Sequence, residues 1–189
     1  MNRPTVGAVL LASGFARRYG SNKLLDDYRG RPLFRYAFDA LPPALFHRAV
    51  VTTQYPEILA AAEQAGYLAL PNPHAGQGIT AGLRLGLEAV SGLDGTLFAV
   101  CDQPNLNTES IVRLIRSFRE SPDRIHALAW QGQRGNPVIF PKALYPELLA
   151  LTGDTGGGAV VKRHRDLLDL TEAGSGAELV DIDEKERPR

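Results

Sequence analysis

The chain has 189 residues, of which 44% are hydrophobic and 22% are charged, and its formal net charge is zero. This length and composition are typical of one globular domain, so we expect a single domain over residues 1–189. The zero net charge argues against a nucleic-acid partner, the single cysteine excludes an internal disulfide framework, and no apolar run is long enough to span a membrane. Residues 6–12 are followed by arginines rather than by a cleavage site, so we expect a cytoplasmic protein with no signal peptide and no membrane partner.

The first predicted element is an almost unbroken apolar run, residues 6–12. Such a run is typical of a strand buried on both faces of a parallel sheet. It leads directly into a loop, residues 13–23, that contains two glycines, two arginines and a lysine. Since ligands of these sheets bind beyond the carboxyl ends of the strands, the loop lies where a phosphate-bearing ligand is expected. Residues 1–35 carry seven cations and two acids, which suits a small anionic ligand better than a polymer.

The remaining elements alternate between helical and strand patterns. We predict helices over residues 32–41, 56–66, 79–90 and 141–151. A further helix is predicted to begin with Asn107 or Thr108 as its cap and to run through Phe118, and a short helix to run through Val161 and Arg163. We predict strands over 47–53, 67–70, 96–101, 125–130 and 138–140, with later ones over 167–170 and 178–182, and turn-rich loops over 71–78, 132–137 and 153–158. This order predicts an α/β fold, a single three-layer α/β/α Rossmann-like domain with a mostly parallel sheet.

The loop after the first strand fits neither of two common phosphate-binding patterns. Phe15 and Ala16 follow Gly14, which breaks the dinucleotide fingerprint, and the spacing of the glycines and the lysine breaks the Walker pattern. Gly14 would still let backbone N–H groups approach phosphate oxygens, while Arg18 and Lys23 would neutralise charge on a leaving pyrophosphate. A solvated basic loop is the alternative.

Asp102 follows the apolar strand 96–101 in the sequence Cys101-Asp102-Gln103-Pro104. A carboxylate at a strand end that faces a basic phosphate loop suits Mg²⁺, which proteins hold with one or two carboxylates plus substrate phosphates. A turn or helix-capping aspartate is the alternative. The chain's histidines show no ligand spacing, so a zinc site is not expected, and we expect Cys101 to be a buried strand residue.

Several motifs resemble those of one enzyme family. Leu11, Ala12, Gly14, Arg18, Gly20 and Lys23 form the pattern L-A-x-G-x-x-x-R-x-G-x-x-K. This pattern resembles the signature of nucleotidyltransferases and, more narrowly, that of the molybdenum cofactor nucleotidyltransferase family. Cys-Asp-Gln-Pro matches the metal-binding aspartate motif of that family. Asp181-Ile182-Asp183 resembles its Asp-Ile-Asp-Thr-Pro motif, although Glu184-Lys185 replaces Thr-Pro.

Three further stretches extend the resemblance along the chain. Residues 72–83 resemble the segment that contacts base and ribose in relatives, although Gly82 replaces the usual serine. Gly135-Asn136-Pro137-Val138 and Gly153-Asp154-Thr155-Gly156 resemble segments on the acceptor side. The alternative for each of the three stretches is a glycine turn with a purely structural role. Within the signature, Ser13, Ala16 and Tyr19 depart from the usual residues.

The resemblance implies a nucleotide-diphospho-sugar transferase-like fold and a set of site residues. Arg18, Lys23 and Asp102 would be catalytic, and Mg²⁺ would be held by Asp102 and Asp183, with Asp181 as the alternative to Asp183. The nucleotide would be bound by Leu11, Ala12, Ser13, Gly14, Arg18, Lys23, Asn72 and Gly78. The acceptor would be bound by Gly135, Asn136, Pro137, Gly153 and Asp154.

The implied reaction moves a nucleoside monophosphate from its triphosphate to the terminal phosphate of molybdenum-molybdopterin, and it releases pyrophosphate. GTP-using relatives tend to carry glycine at the Ser13 position and CTP-using relatives alanine, so serine favours CTP over GTP. A molybdenum hydroxylase would be the partner that receives the product. One alternative is another phosphorylated acceptor, such as a sugar phosphate or phospholactate. The other is a nucleotide- or cofactor-binding module without catalysis, and the altered residues after Asp183 favour this second alternative.

Overall fold

A computed structural model describes residues 3–13 and 22–182 of the chain. The strands are β1 Val6–Leu11, β2 Asp27–Tyr28, β3 Arg31–Pro32, β4 Arg48–Thr53, β5 Leu68–Pro71, β6 Gly95–Val100, β7 Ile125–Trp130, β8 Gln133–Pro141 and β9 Leu168–Glu172. The helices are α1 Phe34–Ala40, α2 Pro56–Gln64, α3 Ile79–Val90, α4 Thr108–Glu120, α5 Tyr145–Leu149 and α6 Gly158–Arg163. Short 3₁₀ turns lie at Pro43–Leu45, Ala75–Gln77, Lys142–Leu144, Arg165–Leu167 and Gly176–Leu179.

The main sheet has seven strands in the order β5-β4-β1-β6-β8-β7-β9. β1 lies in the middle and pairs in parallel with β4 and β6, while β8 runs antiparallel to both β6 and β7. Strands β2 and β3 form a separate two-stranded ribbon. The prediction of a mostly parallel sheet is confirmed, because β8 is the one reversed strand among the seven.

Helices cover both faces of this sheet. On β1, Val6, Ala8 and Leu10 pack in one apolar cluster and Val9 packs in another on the opposite face. The first cluster takes buried residues from α1, α2 and α4, and the second from α3, α5 and α6. The predicted three-layer α/β/α arrangement is therefore confirmed. No helix in residues 3–13 and 22–182 is both long and apolar enough to cross a bilayer.

Two predicted elements differ in the structure. Residues 132–137 were expected to form a loop, but β8 begins at Gln133 and forms a hairpin with β7 through Gln131 and Gly132, both of which have positive φ angles. The exposed start of β8 is held by backbone pairing, which leaves no apolar pattern in the sequence. Residues 178–182 were expected to form a strand, but they begin in the turn Gly176–Leu179, where Ser175 and Glu178 form a capping box.

Candidate active site

The carboxyl ends of four parallel strands meet at one edge of the sheet. Leu11 of β1 lies beside Thr52 of β4 and Val100 of β6, and Pro71 of β5 lies beside Thr53. Residues that directly follow these strands are therefore neighbours, whatever their separation in the chain. In open α/β sheets this edge is where ligands bind.

Ser13 is held by a network of hydrogen bonds at this edge. Its hydroxyl donates to the Thr52 carbonyl oxygen at 3.1 Å and accepts from the Asn72 side-chain amide at 3.1 Å. The Gln54 amide donates to the Ser13 carbonyl oxygen at 2.9 Å. Asn72 is buried, and its Oδ1 accepts from the backbone N–H of His74 at 3.1 Å. The network joins the end of β1 to the loop after β5, so Ser13 and Asn72 lie together, as the nucleotide-binding prediction requires.

Gly82 of α3 faces this network at close range. A Cβ atom at Gly82 would lie 2.9 Å from the Thr52 hydroxyl oxygen and 3.4 Å from the Asn72 amide nitrogen. Thr52 is fully buried, and its hydroxyl has no hydrogen-bond partner among the residues that the structure describes. A side chain at position 82 would therefore require the Thr52 hydroxyl to move, which is consistent with glycine in place of the family's usual serine.

We expect Asn72→Ala to weaken triphosphate binding about fivefold, because the Ser13 hydroxyl would lose the amide that fixes it. The free energy of unfolding should fall by about 1 kcal/mol, since the hydrogen bond from the His74 N–H to the buried Asn72 side chain is lost. Calorimetric titration with CTP and GTP, alongside urea unfolding, measures both effects.

Asn107→Ala is the matched control for this variant. The Asn107 side chain caps α4 by accepting from the N–H of Glu109 at 2.8 Å, so its loss should also cost about 1 kcal/mol of stability. Triphosphate affinity should stay unchanged in the control. An equal loss of affinity in both variants would show that Asn72 acts only through general stability.

Lys23 and Asp102 form an ion pair where three segments of the chain meet. Lys23 Nζ lies 2.7 Å from Asp102 Oδ2 and donates to the Ile182 carbonyl oxygen at 3.1 Å. The backbone N–H of Ile182 donates to the Asp102 carbonyl oxygen at 2.9 Å. The side chains of Lys23 and Asp102 are 23% and 17% exposed, so the pair lies in a partly buried cleft. The structure thus brings together two of the predicted catalytic residues.

Asp102 Oδ1 points to a further ligand. This oxygen is buried and has no hydrogen-bond partner among the described residues, although a buried carboxylate oxygen normally has one. In residues 3–13 and 22–182 no group of three or more His, Cys, Asp or Glu side chains could hold a metal ion by itself. Mg²⁺ sites often use one or two carboxylates that substrate phosphates complete, so Asp102 Oδ1 could contribute one ligand to such a site.

The segment 174–182 is fixed by a buried carboxylate that the sequence analysis missed. Glu178 Oε1 accepts from the N–H groups of Gly174 and Ser175 at 2.7 and 3.2 Å, and Oε2 accepts from that of Asn107 at 3.1 Å. The side chain of Gln103 donates to the Leu179 carbonyl oxygen at 3.4 Å. These bonds anchor the segment before it reaches Asp102. The pattern Ser175-x-x-Glu178, a capping box, was the sequence signal for this arrangement.

Gly153 and Asp154, predicted to bind the acceptor, cap the amino terminus of α3. The Gly153 carbonyl oxygen accepts from the N–H and the hydroxyl of Thr80 at 3.3 and 2.7 Å, and Asp154 Oδ1 accepts from the N–H of Ile79 at 3.3 Å. Gly78 precedes the helix with φ 103°. These contacts give the turn a structural role, and its contact with an acceptor stays a prediction.

Gly135, Asn136 and Pro137 run beside the carboxyl end of β6. The pairing of β6 with β8 ends at Phe98 and Val138, so the three residues continue along the strand end that leads to Asp102. A Cβ at Gly135 would lie 2.9 Å from Leu179 Cδ1, which gives this glycine a packing role against the segment 174–182.

The other predicted site residues divide into two groups. Leu11 and Ala12 lie at the end of β1, and the Ala12 N–H donates to the Thr52 carbonyl oxygen at 2.9 Å. Gly14, Arg18 and Asp183 lie outside the described residues.

Cys101 is buried as expected, and burial, followed by the neighbouring Asp102 charge, raises the pKa of its thiol. A thiol with a raised pKa is a poor nucleophile, so Cys101 is not a candidate nucleophile.

Comparison with known proteins identifies the family of the chain. The family model of the MobA-like NTP transferase domain matches residues 8–167. The chain is 28% identical to nicotine blue oxidoreductase of Paenarthrobacter nicotinovorans over 195 aligned residues, and the alignment covers 97% of the chain and 95% of the relative. It is 31% identical to a molybdenum cofactor guanylyltransferase of Shewanella frigidimarina, over 78% of the chain and 72% of the relative.

A solved structure has the same fold. The crystal structure of Rv0371c from Mycobacterium tuberculosis superposes with a TM-score of 0.79 at 24% identity, over 97% of this chain and 94% of that one. A further structure of Rv0371c, in complex with manganese, superposes with a TM-score of 0.76 at 22% identity and covers 95% and 94% of the two chains. The family match begins at Ala8 within β1 and includes the loop after β1 and Asp102 after β6. The chain therefore belongs to the MobA-like NTP transferase domain family.

Proposed function

We propose that the chain transfers a nucleoside monophosphate from its triphosphate to the terminal phosphate of a molybdopterin-type acceptor and releases pyrophosphate. The observation that carries this proposal is the pair formed by Lys23 and Asp102 at the ligand-binding edge of a member of this family. The relative from Shewanella frigidimarina, named a molybdenum cofactor guanylyltransferase, supports the choice of acceptor.

The chain's own residues would act mainly by position and charge. An acceptor phosphate is already ionised, so the reaction needs no general base, and in-line placement of the two substrates supplies much of the rate. Lys23, together with Arg18, would donate hydrogen bonds to phosphate oxygens as negative charge moves onto the leaving pyrophosphate. Asp102 and Asp183 would hold Mg²⁺. When bound, this ion neutralises phosphate charge and orients the acceptor oxygen.

We propose CTP as the donor and treat GTP as its competitor. Ser13 places a hydroxymethyl group where a glycine would leave space, and hydrogen bonds to Thr52 and Asn72 hold that group in place. A filled position suits the smaller pyrimidine base. Several relatives are named molybdenum cofactor guanylyltransferase, and that name favours GTP instead.

Pyrophosphate release with each of the four triphosphates and molybdopterin tests both choices. We expect turnover with CTP to exceed that with GTP by roughly tenfold, a difference of about 1.4 kcal/mol in transition-state binding. Ser13→Gly should shift the ratio towards GTP, because it opens the base side of the cleft. Ser91→Gly, which changes an exposed serine after α3, is the control and should leave the ratio unchanged.

Three outcomes would contradict parts of the proposal. A preference for GTP in the wild type would overturn the choice of base and leave the reaction in place. Turnover with a sugar phosphate or phospholactate, but not with molybdopterin, would replace the acceptor. Nucleotide binding without turnover on any acceptor would favour a binding module. Each of the first two outcomes would also remove the support for a molybdenum hydroxylase as the recipient of the product.

A redox reaction is the second candidate, because a relative that matches nearly the whole chain is named nicotine blue oxidoreductase. The loop after β1 lacks the dinucleotide fingerprint, which argues against this reaction. Incubation with NADH or NADPH and a dye acceptor distinguishes the two candidates. We expect no oxidation of either coenzyme.

A further inference from the structure

We infer that Lys23 is a built-in counter-ion that closes the metal site until a triphosphate draws it away. The inference rests on the proposed function and adds a regulation to the same site. Its consequence is that triphosphate and divalent cation bind cooperatively, and that the cation alone binds weakly.

The first step is the position of the ammonium group. Lys23 Nζ lies 2.7 Å from Asp102 Oδ2, which is the distance of a direct charge-assisted hydrogen bond. A divalent cation at Oδ1, the other oxygen of this carboxylate, would lie close to that positive charge. Two like charges at such short range repel strongly in a partly buried cleft, so the cation and the ammonium compete for Asp102.

The second step is that Asp102 and Ile182, which both accept from Lys23, are held in fixed positions. The Ile182 carbonyl oxygen accepts from Lys23 at 3.1 Å, and the N–H of Ile182 is bonded to the Asp102 carbonyl oxygen. The preceding residues are anchored through the buried Glu178 and three backbone N–H groups. The contact is therefore part of a defined arrangement, unlike a loose ion pair on an open surface.

The third step is what a triphosphate does to this arrangement. Lysine carries its charge on a flexible four-carbon chain, and the polyphosphate offers it several anionic oxygens. Once Lys23 turns to the phosphates, Asp102 is left as a largely buried carboxylate without a counter-ion, which is costly. A divalent cation relieves that cost, so each ligand raises the affinity for the other by the same factor.

Manganese binding, followed by the paramagnetic signal of the free ion, tests the inference without any turnover. In the absence of nucleotide, Lys23→Met should bind Mn²⁺ on the order of tenfold more tightly than wild type. Lys162→Met removes the same charge from an exposed position on α6 and should change nothing. Repeating the titration at about 0.5 M KCl separates direct competition, which persists, from long-range repulsion, which is screened.

The same titrations with α,β-methylene-CTP or α,β-methylene-GTP, which cannot react, measure the coupling. In wild type, the nucleotide should tighten Mn²⁺ binding by more than the factor seen in Lys23→Met. If Lys23 only contacts phosphate, the nucleotide should tighten Mn²⁺ binding more in Lys23→Met than in wild type. Without the lysine, the metal ion would be the main cation left to neutralise the bound nucleotide. Lys23→Gln serves as a second variant in case the methionine variant folds poorly.

The outcomes separate this inference from the proposed function. If Mn²⁺ binds with dependence on Asp102 but Lys23→Met binds it no more tightly than wild type, the counter-ion role is wrong and the metal site stands. If Asp102→Ala binds Mn²⁺ as wild type does in the presence of nucleotide, the metal site itself is wrong. If no variant binds Mn²⁺ with or without nucleotide, both are overturned.

Discussion

Asp102→Ala is expected to lower the rate of nucleotidyl transfer by at least about a thousandfold, because it removes the carboxylate proposed to hold the metal ion at the phosphates. The loss should appear in kcat as well as in kcat/KM, since the charge that the ion neutralises is greatest in the transition state. Single-turnover measurements with saturating triphosphate and acceptor would report the chemical step directly. Asp102→Asn should show nearly the same loss, because it keeps the shape of the side chain and removes the charge.

The fold should survive both substitutions at Asp102. The pair with Lys23 is partly solvent-exposed, so its loss should cost about 1 kcal/mol, or roughly 2–4 °C in Tm for a chain of this length. Asp94→Ala, at the opposite end of β6, is the matched control. Asp94 accepts from the N–H and the hydroxyl of Thr5, both at 2.7 Å, and these bonds lower the pKa of its carboxyl group. This control should lose stability and keep its rate. If Asp102→Ala retains activity, Asp102 does not belong to the reactive centre.

Gly78→Ala is expected to cause the largest loss of stability among single substitutions near the site. Gly78 has φ 103° and ψ −179°, a conformation that is almost restricted to glycine. An added Cβ would also lie 2.4 Å from the Gly153 carbonyl oxygen and 2.6 Å from Asp154 Oδ1. Strain and overlap together should cost about 3 kcal/mol and lower the Tm by roughly 6–12 °C. Thermal unfolding with and without nucleotide measures the effect.

The affinity for triphosphate should fall together with that stability. Displacement of the turn at Gly153 removes the partners of Ile79 and Thr80, so the start of α3 would fray. Gly92→Ala is the control, because an added Cβ there meets no atom within 4 Å, and its effect should stay within about 0.5 kcal/mol. A Gly78→Ala protein that unfolds at the wild-type temperature would show that the contact between α3 and the turn is weaker than its geometry suggests.

Much of the fold could be predicted because its central strands are buried on both faces. The bounds of α3 and β7 agree to the residue with those predicted from periodicity and apolar runs. The start of β8 could not be predicted, because Gln133 and Arg134 are exposed and their strand structure comes from pairing with β7. Residues 178–182 were misassigned for a related reason. Leu179 and Ile182 pack against the core, and the Ile182 backbone bonds to Asp102 and Lys23, whereas a strand would bond to a neighbouring strand.

The candidate site divides in the same way. Residue types with strong chemical preferences, such as Lys23, Asp102 and Asn72, could be singled out by motif. The groups that complete the arrangement are backbone atoms, such as the carbonyl oxygens of Thr52 and Ile182. Every residue type has a backbone carbonyl group, so the sequence does not show which of them take part. Gln54 and Glu178 act through such atoms, so only the capping-box pattern at Glu178 was visible in advance.

The close approach of Thr52 and Gly82 makes these two positions a pair in any redesign of this edge. An added Cβ at position 82 would lie 2.9 Å from the Thr52 hydroxyl oxygen, so a side chain there requires that hydroxyl to turn away. A design that introduces the serine usual in the family should therefore also replace Thr52 by a smaller residue such as alanine. The same replacement would remove a buried hydroxyl that has no hydrogen-bond partner among the described residues.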